Sequence, residues 1–237
     1  INQIIYFTKT IKISYMKKMT FFSAIMLLSL FALAQKKSES SIAFGIKGGV
    51  TFNKFSLSGN NTVGYTASSL TSFYVGATVD IPVFSVLSVQ PGLLFIGKGG
   101  NTQFPFAPPA SINTKYSPFY LEIPVNLMAE FELGPGQIFV GAGPYLSFGI
   151  RGKIKETSVD QSGVLQTIKD TSMQFGSNTS DDLKRTDLGL GLLLGYQLDN
   201  GINIHGGYSF SLSNINPDAS APTLKNNVLS IGLGYSF

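Results

Sequence analysis

The sequence predicts an all-β fold: an eight-stranded antiparallel up-and-down barrel that crosses a membrane, preceded by a cleavable signal peptide. Three observations carry this prediction. Apolar and polar residues alternate with period two over segments of about ten residues, the pattern of strands with one face to lipid and one to a lumen. The links between these segments alternate between short, turn-rich ones and long polar ones. The composition is rich in Gly (26) and Phe (19), and only 13% of residues are charged.

Composition also removes whole classes of chemistry. The chain has no Cys, which excludes disulfide scaffolds, Cys-ligated zinc and thiol catalysis. A single His, His205, excludes multi-His metal sites. No metal or cofactor site is expected. The formal charge of +4 does not indicate a nucleic-acid partner. Lys9, Lys12, Lys17 and Lys18 account for four of the 17 cations and precede residue 35, whereas all 13 acids follow it. From residue 35 onward, 13 cations therefore face 13 anions.

The N-terminal region reads as a targeting segment. Met16-Lys17-Lys18 forms a basic n-region, Thr20–Phe31 a short apolar h-region and Ala32-Leu33-Ala34 a small-x-small cleavage site. The apolar run is shorter than the ~18–20 residues of a spanning helix. Residues 16–34 are read as a Sec-type signal peptide, 1–15 as upstream sequence outside the fold, and 35–237 as the barrel domain.

Eight strands follow. In the first, Phe44, Ile46, Gly48, Val50 and Phe52 oppose Gly45, Lys47, Gly49, Thr51 and Asn53. The second and third run from Phe73 to Asp80 and from Leu87 to Lys98, with Asp80, Gln90 and Lys98 on the polar face. The fourth sets Leu121, Ile123, Val125 and Leu127 against Glu122, Asn126 and Glu130. The fifth sets Ile138, Val140, Ala142, Leu146 and Phe148 against Gly141, Gly143, Tyr145, Ser147 and Arg151. The last three are the cleanest. Leu188, Leu190, Leu192 and Leu194 alternate with Asp187, Gly189, Gly191 and Leu193; Ile202, Ile204 and Tyr208 with Asn203, His205 and Ser209; Leu229, Ile231 and Leu233 with Ser230, Gly232 and Gly234. Short turns are expected near Pro82, at Gly134-Pro135-Gly136 and at Asp199-Asn200-Gly201. Long links cover residues 56–70, 99–117, 152–184 and 213–225. Short turns in the periplasm and long loops outside are the arrangement of outer-membrane barrels.

Periodicity alone also permits a soluble barrel with its apolar face inside. Two features decide for the opposite polarity. The polar face mixes Gly and Ser with scattered ionic groups, namely Lys47, Asp80, Lys98, Glu122, Glu130, Arg151, Asp187 and His205, which suits a lumen packed by opposite charges. Aromatics of the apolar face gather at strand ends: Phe44, Phe131, Tyr196, Tyr235 and Phe237 at the turn end, and Phe52, Phe73, Phe95, Phe119, Phe148 and Phe210 at the loop end. Two such belts match two membrane–water interfaces. Inward Gly residues are expected to make room for large groups on facing strands. Pro91, Pro124 and Pro144 fall mid-strand, where each deletes a ladder donor, so bulges or locally irregular pairing are expected there.

The strings FGIKGGVTFNKF (44–55), LSVQPGLLFIGKG (87–99), YLEIPVNL (120–127), FVGAGPYLSFGI (139–150) and NVLSIGLGYSF (227–237) together resemble the PorT-like family of outer-membrane β-barrels. The resemblance implies a location in the outer membrane and contact with its lipids. It also implies that Tyr235 and Phe237 serve as the signal read by the barrel-assembly machinery. Some members of that family are linked to secretion across the outer membrane, and the family offers no catalytic motif to transfer. Gly92 stands where many relatives carry an inward Glu.

Three roles remain open at this point. A plugged barrel can serve as a structural element or bind a protein partner through its long loops. It can belong to a secretion apparatus. It can be a lipid-modifying enzyme using His205 with Ser209 or Ser211 and Asp187. The enzyme reading demands hydrogen-bond contact within the set. Strand arithmetic opposes that contact, because His205 lies near the turn end and Asp187 near the loop end, so no catalysis is expected. In the longest loop, KIKETSVD and LQTIKDTSMQ flank Gln161-Ser162-Gly163 as a hairpin would.

Overall fold

A computed structural model describes residues 42–59, 64, 66–107 and 110–237. The expected upstream segment and signal peptide lie outside the described residues. Among the described residues there are eleven strands: β1 (Ala43–Ser58), β2 (Thr66–Ser68), β3 (Leu70–Phe84), β4 (Leu87–Gly97), β5 (Gly100–Ala107), β6 (Ala110–Glu132), β7 (Gly136–Val159), β8 (Leu165–Ser172), β9 (Thr186–Leu198), β10 (Ile202–Ser211) and β11 (Thr223–Ser236). No helix occurs among the described residues.

Eight of these strands close a ring, in the order β1, β3, β4, β6, β7, β9, β10, β11. The first and last strands complete it by pairing antiparallel from Gly45↔Ser236 to Ser58↔Thr223. Closure gives every ring strand a partner on both sides, the condition for a sheet to sit in hydrocarbon. The remaining three strands lengthen the sheet at the loop end. β5 folds back on β6, β2 pairs with β5, and β8 folds back on β7. The segment around residues 161–163, for which the sequence allowed either a hairpin or a surface loop, is a hairpin. The link expected over 99–117 also proves to be largely paired strand. β6 and β7 run for 23 and 24 residues, whereas crossing a bilayer takes about 9–11. Their loop-end halves therefore stand clear of it.

At the turn end, Gly134 (φ +63°) and Gly201 (φ +87°) supply the left-handed conformation that tight hairpin turns require. The turn expected near Pro82 falls slightly later, at Ser85-Val86, because Pro82 is still within β3.

The three mid-strand prolines do not shift the register. Pairing lapses after Pro91↔Val125 and resumes at Leu94↔Glu122 in the same register. It behaves likewise between Pro124↔Tyr145 and Leu127↔Ala142, and Pro144↔Leu190 sits in an unbroken ladder. The expected irregularity is thus a local gap, and bulges are absent at these sites. Ladder bonds on either side of each gap hold the alignment. A register shift does occur between Phe119 and Tyr120, which pair with Arg151 and Gly149.

Packing changes character along the barrel. At membrane level the outer face is greasy and open: Leu190, Ile204 and Leu233 are 39%, 56% and 61% exposed. The inner face there mixes polar groups and glycines with buried large side chains, among them Leu94, Ile96, Met128, Phe139 and Val228. Gly232 lies where an added Cβ would collide with the Tyr74 hydroxyl, and Gly189 where it would collide with that of Tyr145. Inward glycines thus do make room for large side chains. Gly232→Leu is expected to lower stability by about 1–3 kcal/mol through overpacking, read as a lower urea midpoint in detergent micelles. An unchanged midpoint would show the lumen to be loosely filled.

Above the loop-end belt the polarity reverses. Phe55, Ile154, Met173, Leu183, Ile215 and Leu224 form a buried apolar cluster, with Tyr116 and Phe175 packed on it. Lys153 and Lys155 flank inward Ile154 and are exposed. The last two long loops are tied together by a backbone hydrogen bond from Lys184 N to Ile215 O (2.8 Å), and the second closes on itself through Ile215 N donating to Leu224 O (2.9 Å). Phe175 joins this cap to the lumen, where its ring meets Tyr120 edge-on at 6.0 Å.

Candidate functional site

The lumen carries two polar tiers. The loop-end tier centres on Lys98, which follows β4 and is held there by its N–H donating to Pro118 O at 3.0 Å. The Lys98 side chain is fully buried. Its Nζ lies 2.7 Å from Glu122 Oε2, 3.0 Å from Asp187 Oδ2 and 3.0 Å from Ser147 Oγ. The ammonium also sits over the Tyr145 ring at 4.1 Å. One cation does not satisfy two carboxylates, so neutral donors complete the set. Ser147 Oγ donates to Glu122 at 2.8 Å, while Asn226 Nδ2 (3.0 Å), Ser213 Oγ (3.2 Å) and Ser211 Oγ donate to Asp187. Burial is tolerable only because each charge has such partners.

The turn-end tier is built around His205. Tyr74 O–H donates to His205 Nε2 at 2.6 Å, and Nδ1–H donates to Asn203 Oδ1 at 2.8 Å, in the tautomer that satisfies both. Gln90 donates to Asp80 at 2.7 Å and Gln137 donates to Glu130 at 3.2 Å. Lys47 lines two small lumen cavities, of about 70 and 40 Å³, each with room for very little water. The tiers account for seven of the eight residues expected in the lumen.

Arg151 is the exception. It is exposed on the outer face, its guanidinium 5.2 Å from the Phe119 ring centroid and 5.7 Å from that of Phe95. The register shift opposite Phe119 and Tyr120 is the cause. Gly149 points inward, both Ile150 and Arg151 point outward, and the alternation restarts one residue late. A bulge inserts one unpaired residue and moves every later side chain to the other face.

The Ser–His–Asp set is not assembled. Ser211 meets Asp187, but His205 pairs across from Gly195, eight residues of β9 away from Asp187. At ~3.3 Å per residue that is roughly 26 Å along the strand. Ser147 and Asn226, which complete the loop-end tier, were not singled out from the sequence. Inward parity identifies both as lumen residues, but nothing marks them as partners of Lys98.

The outward aromatics stand at the two ends of the band. Phe44, Phe131, Tyr235 and Phe237 are exposed at the turn end, where Tyr196 also donates its hydroxyl to Leu133 O at 2.7 Å. Exposed Phe52, Phe73 and Phe148, together with Phe95, Phe119 and Phe210, lie at the loop end. Phe95 and Phe119 stack at 5.0 Å and 9°, with Phe73 5.5 Å from Phe119.

A closed ring with a greasy outside, ionic tiers inside and aromatics at both rims coincides with a family match. Residues 33–216 match the model of the outer membrane protein beta-barrel domain. The chain belongs to this family. It is an outer-membrane β-barrel protein. No curated protein matches the chain. Among solved structures, the barrel is similar to Neisserial surface protein A, at 16% identity over 84% of this chain and 100% of that one, TM-score 0.41. It is also similar to the attachment invasion locus protein of Yersinia pestis, at 13% identity over 84% and 100%, TM-score 0.40. The outer membrane protein OprG from Pseudomonas aeruginosa shares 16% identity over 82% and 95%, TM-score 0.41.

Proposed function

We propose that this barrel is a platform for a protein partner, with its loop end outside the cell and its lumen serving as a rigid post. The observation that carries this reading is the edge strand β8. It pairs with β7 and ends the sheet, so among the described residues its other edge has no neighbouring strand. Leu165 and Ile168 on it are 63% and 53% exposed. An open edge with exposed apolar side chains invites a partner strand, whose backbone completes the ladder while the side chains select it. The hairpin beneath is anchored in the apolar cap through Ile154 and Met173, so the edge is presented in a fixed orientation. The dense polar tiers support a role in which nothing has to pass through.

A photo-reactive side chain at Gln166 is expected to give one discrete protein adduct in intact cells. That adduct should vanish in the Leu165→Asp/Ile168→Asp variant and survive His205→Ala. An adduct pattern blind to the edge substitutions, or lost with His205, would overturn the reading. Heat-modifiable mobility on gels confirms that each variant is a folded barrel.

A further inference from the structure

A second feature of the loop end is explained neither by the edge strand nor by the lumen. The bulge that turns Arg151 outward also sends Lys153 and Lys155 to the outer face of β7. Register then sets Phe119 opposite Arg151, Ser117 opposite Lys153 and Lys115 opposite Lys155. These residues line a groove of about 550 Å³ in which Asp170 is the one carboxylate. Lys115, Lys153 and Lys155 make no ion pair among the described residues. Lys115 and Lys155, directly opposite one another, repel; Asp170, opposite Lys155 on β8, offsets only one of the four cations, so this face keeps an excess of positive charge.

Depth selects the kind of anion. Phe119 is part of the stacked aromatic cluster of the loop-end belt, and below it the outward residues Ile123 and Leu127 are aliphatic and exposed. The groove therefore has an aromatic wall at the membrane interface and cations just above it. A soluble anion would use the cations and ignore the ring. An amphiphile with an anionic head would use both, since headgroup charge lies at the level of the aromatic belt. We propose that Arg151, Lys153, Lys155 and Lys115 bind the phosphate of a phosphorylated outer-leaflet lipid, whose acyl chains run down past Phe119. The proposal rests on the outward placement of the loop end proposed above and is independent of any partner at β8.

Native mass spectrometry of the full chain in detergent tests it, with diphosphorylated lipid A, the same lipid stripped of phosphate, and inorganic phosphate as probes. The intact lipid should be retained and the stripped lipid lost. The Arg151→Gln/Lys153→Gln/Lys155→Gln variant should bind roughly a hundredfold more weakly, since each basic group near an anionic surface contributes a factor of about five. Lys54→Gln, which removes an exposed cation just above Phe52 on β1, should leave binding unchanged. Equal retention by the triple variant, or equal retention of the stripped lipid, would overturn the proposal. So would inorganic phosphate bound as tightly as the lipid, which would make the groove a site for free anions. Heat-modifiable mobility again separates lost binding from lost folding.

Discussion

Lys98→Met is expected to destabilise the barrel by about 3–5 kcal/mol, because it leaves Glu122 and Asp187 buried and facing one another without their shared cation. The loss is larger than the value of the ion pairs themselves. Most of it is the cost of two carboxylates that water cannot reach. Urea unfolding in lipid vesicles would show it as a lower midpoint. The Lys98→Met/Glu122→Gln/Asp187→Asn variant should recover much of the loss, since the neutral amides retain donors such as Ser211 and Asn226 nearby. Failure of the triple variant to recover any stability would mean that shape, and not charge, holds this tier together. A single-variant loss below about 1 kcal/mol, the size of an ordinary hydrogen bond, would mean that water reaches the carboxylates.

Leu192→Arg should cost about 2–4 kcal/mol in vesicles, the penalty for a charge on the lipid face near the bilayer midplane. Leu192 is 54% exposed within the aliphatic band of β9, opposite Ala142 on β7. On a water-facing surface the same change would be nearly neutral. The measurement therefore tests the polarity on which the membrane assignment depends. Vesicle-bound stability equal to that of the unsubstituted chain would place Leu192 in water.

Sequence patterning reached the barrel because lipid and lumen impose opposite demands on alternate residues, and that contrast is written plainly in runs such as Leu188–Tyr196. Beyond the membrane the contrast fades. Residues 99–117 therefore resemble a polar link, although they are largely paired strand, and 152–172 alternate only weakly around their hairpin turn. The cap was not legible either. Leu183 and Ile215 are completely buried, yet each sits alone in a polar stretch without periodicity to mark it. The face of Arg151 was misassigned for a different reason. Parity counts residues, and a single extra residue at Ile150 breaks the count without leaving a local signature. The prolines did mark irregular pairing, but the form it takes was not legible. A missing donor is a local event, and neighbours on both sides of the ladder hold the register without a bulge. The lumen tiers were legible as a set of inward ionic groups, but their pairing was not, because it depends on which strands lie side by side around a closed ring.

The reversal of polarity between the membrane-level wall and the apolar cap has a mechanical consequence. Below the loop-end belt the cylinder is matched to oil, and above it the same strands are matched to water. Sliding in either direction along the bilayer normal would drag a mismatched zone into the wrong solvent. The folded cap therefore behaves like the head of a rivet. Once it has formed on its own side, the molecule's depth and its up–down sense are fixed without any external anchor.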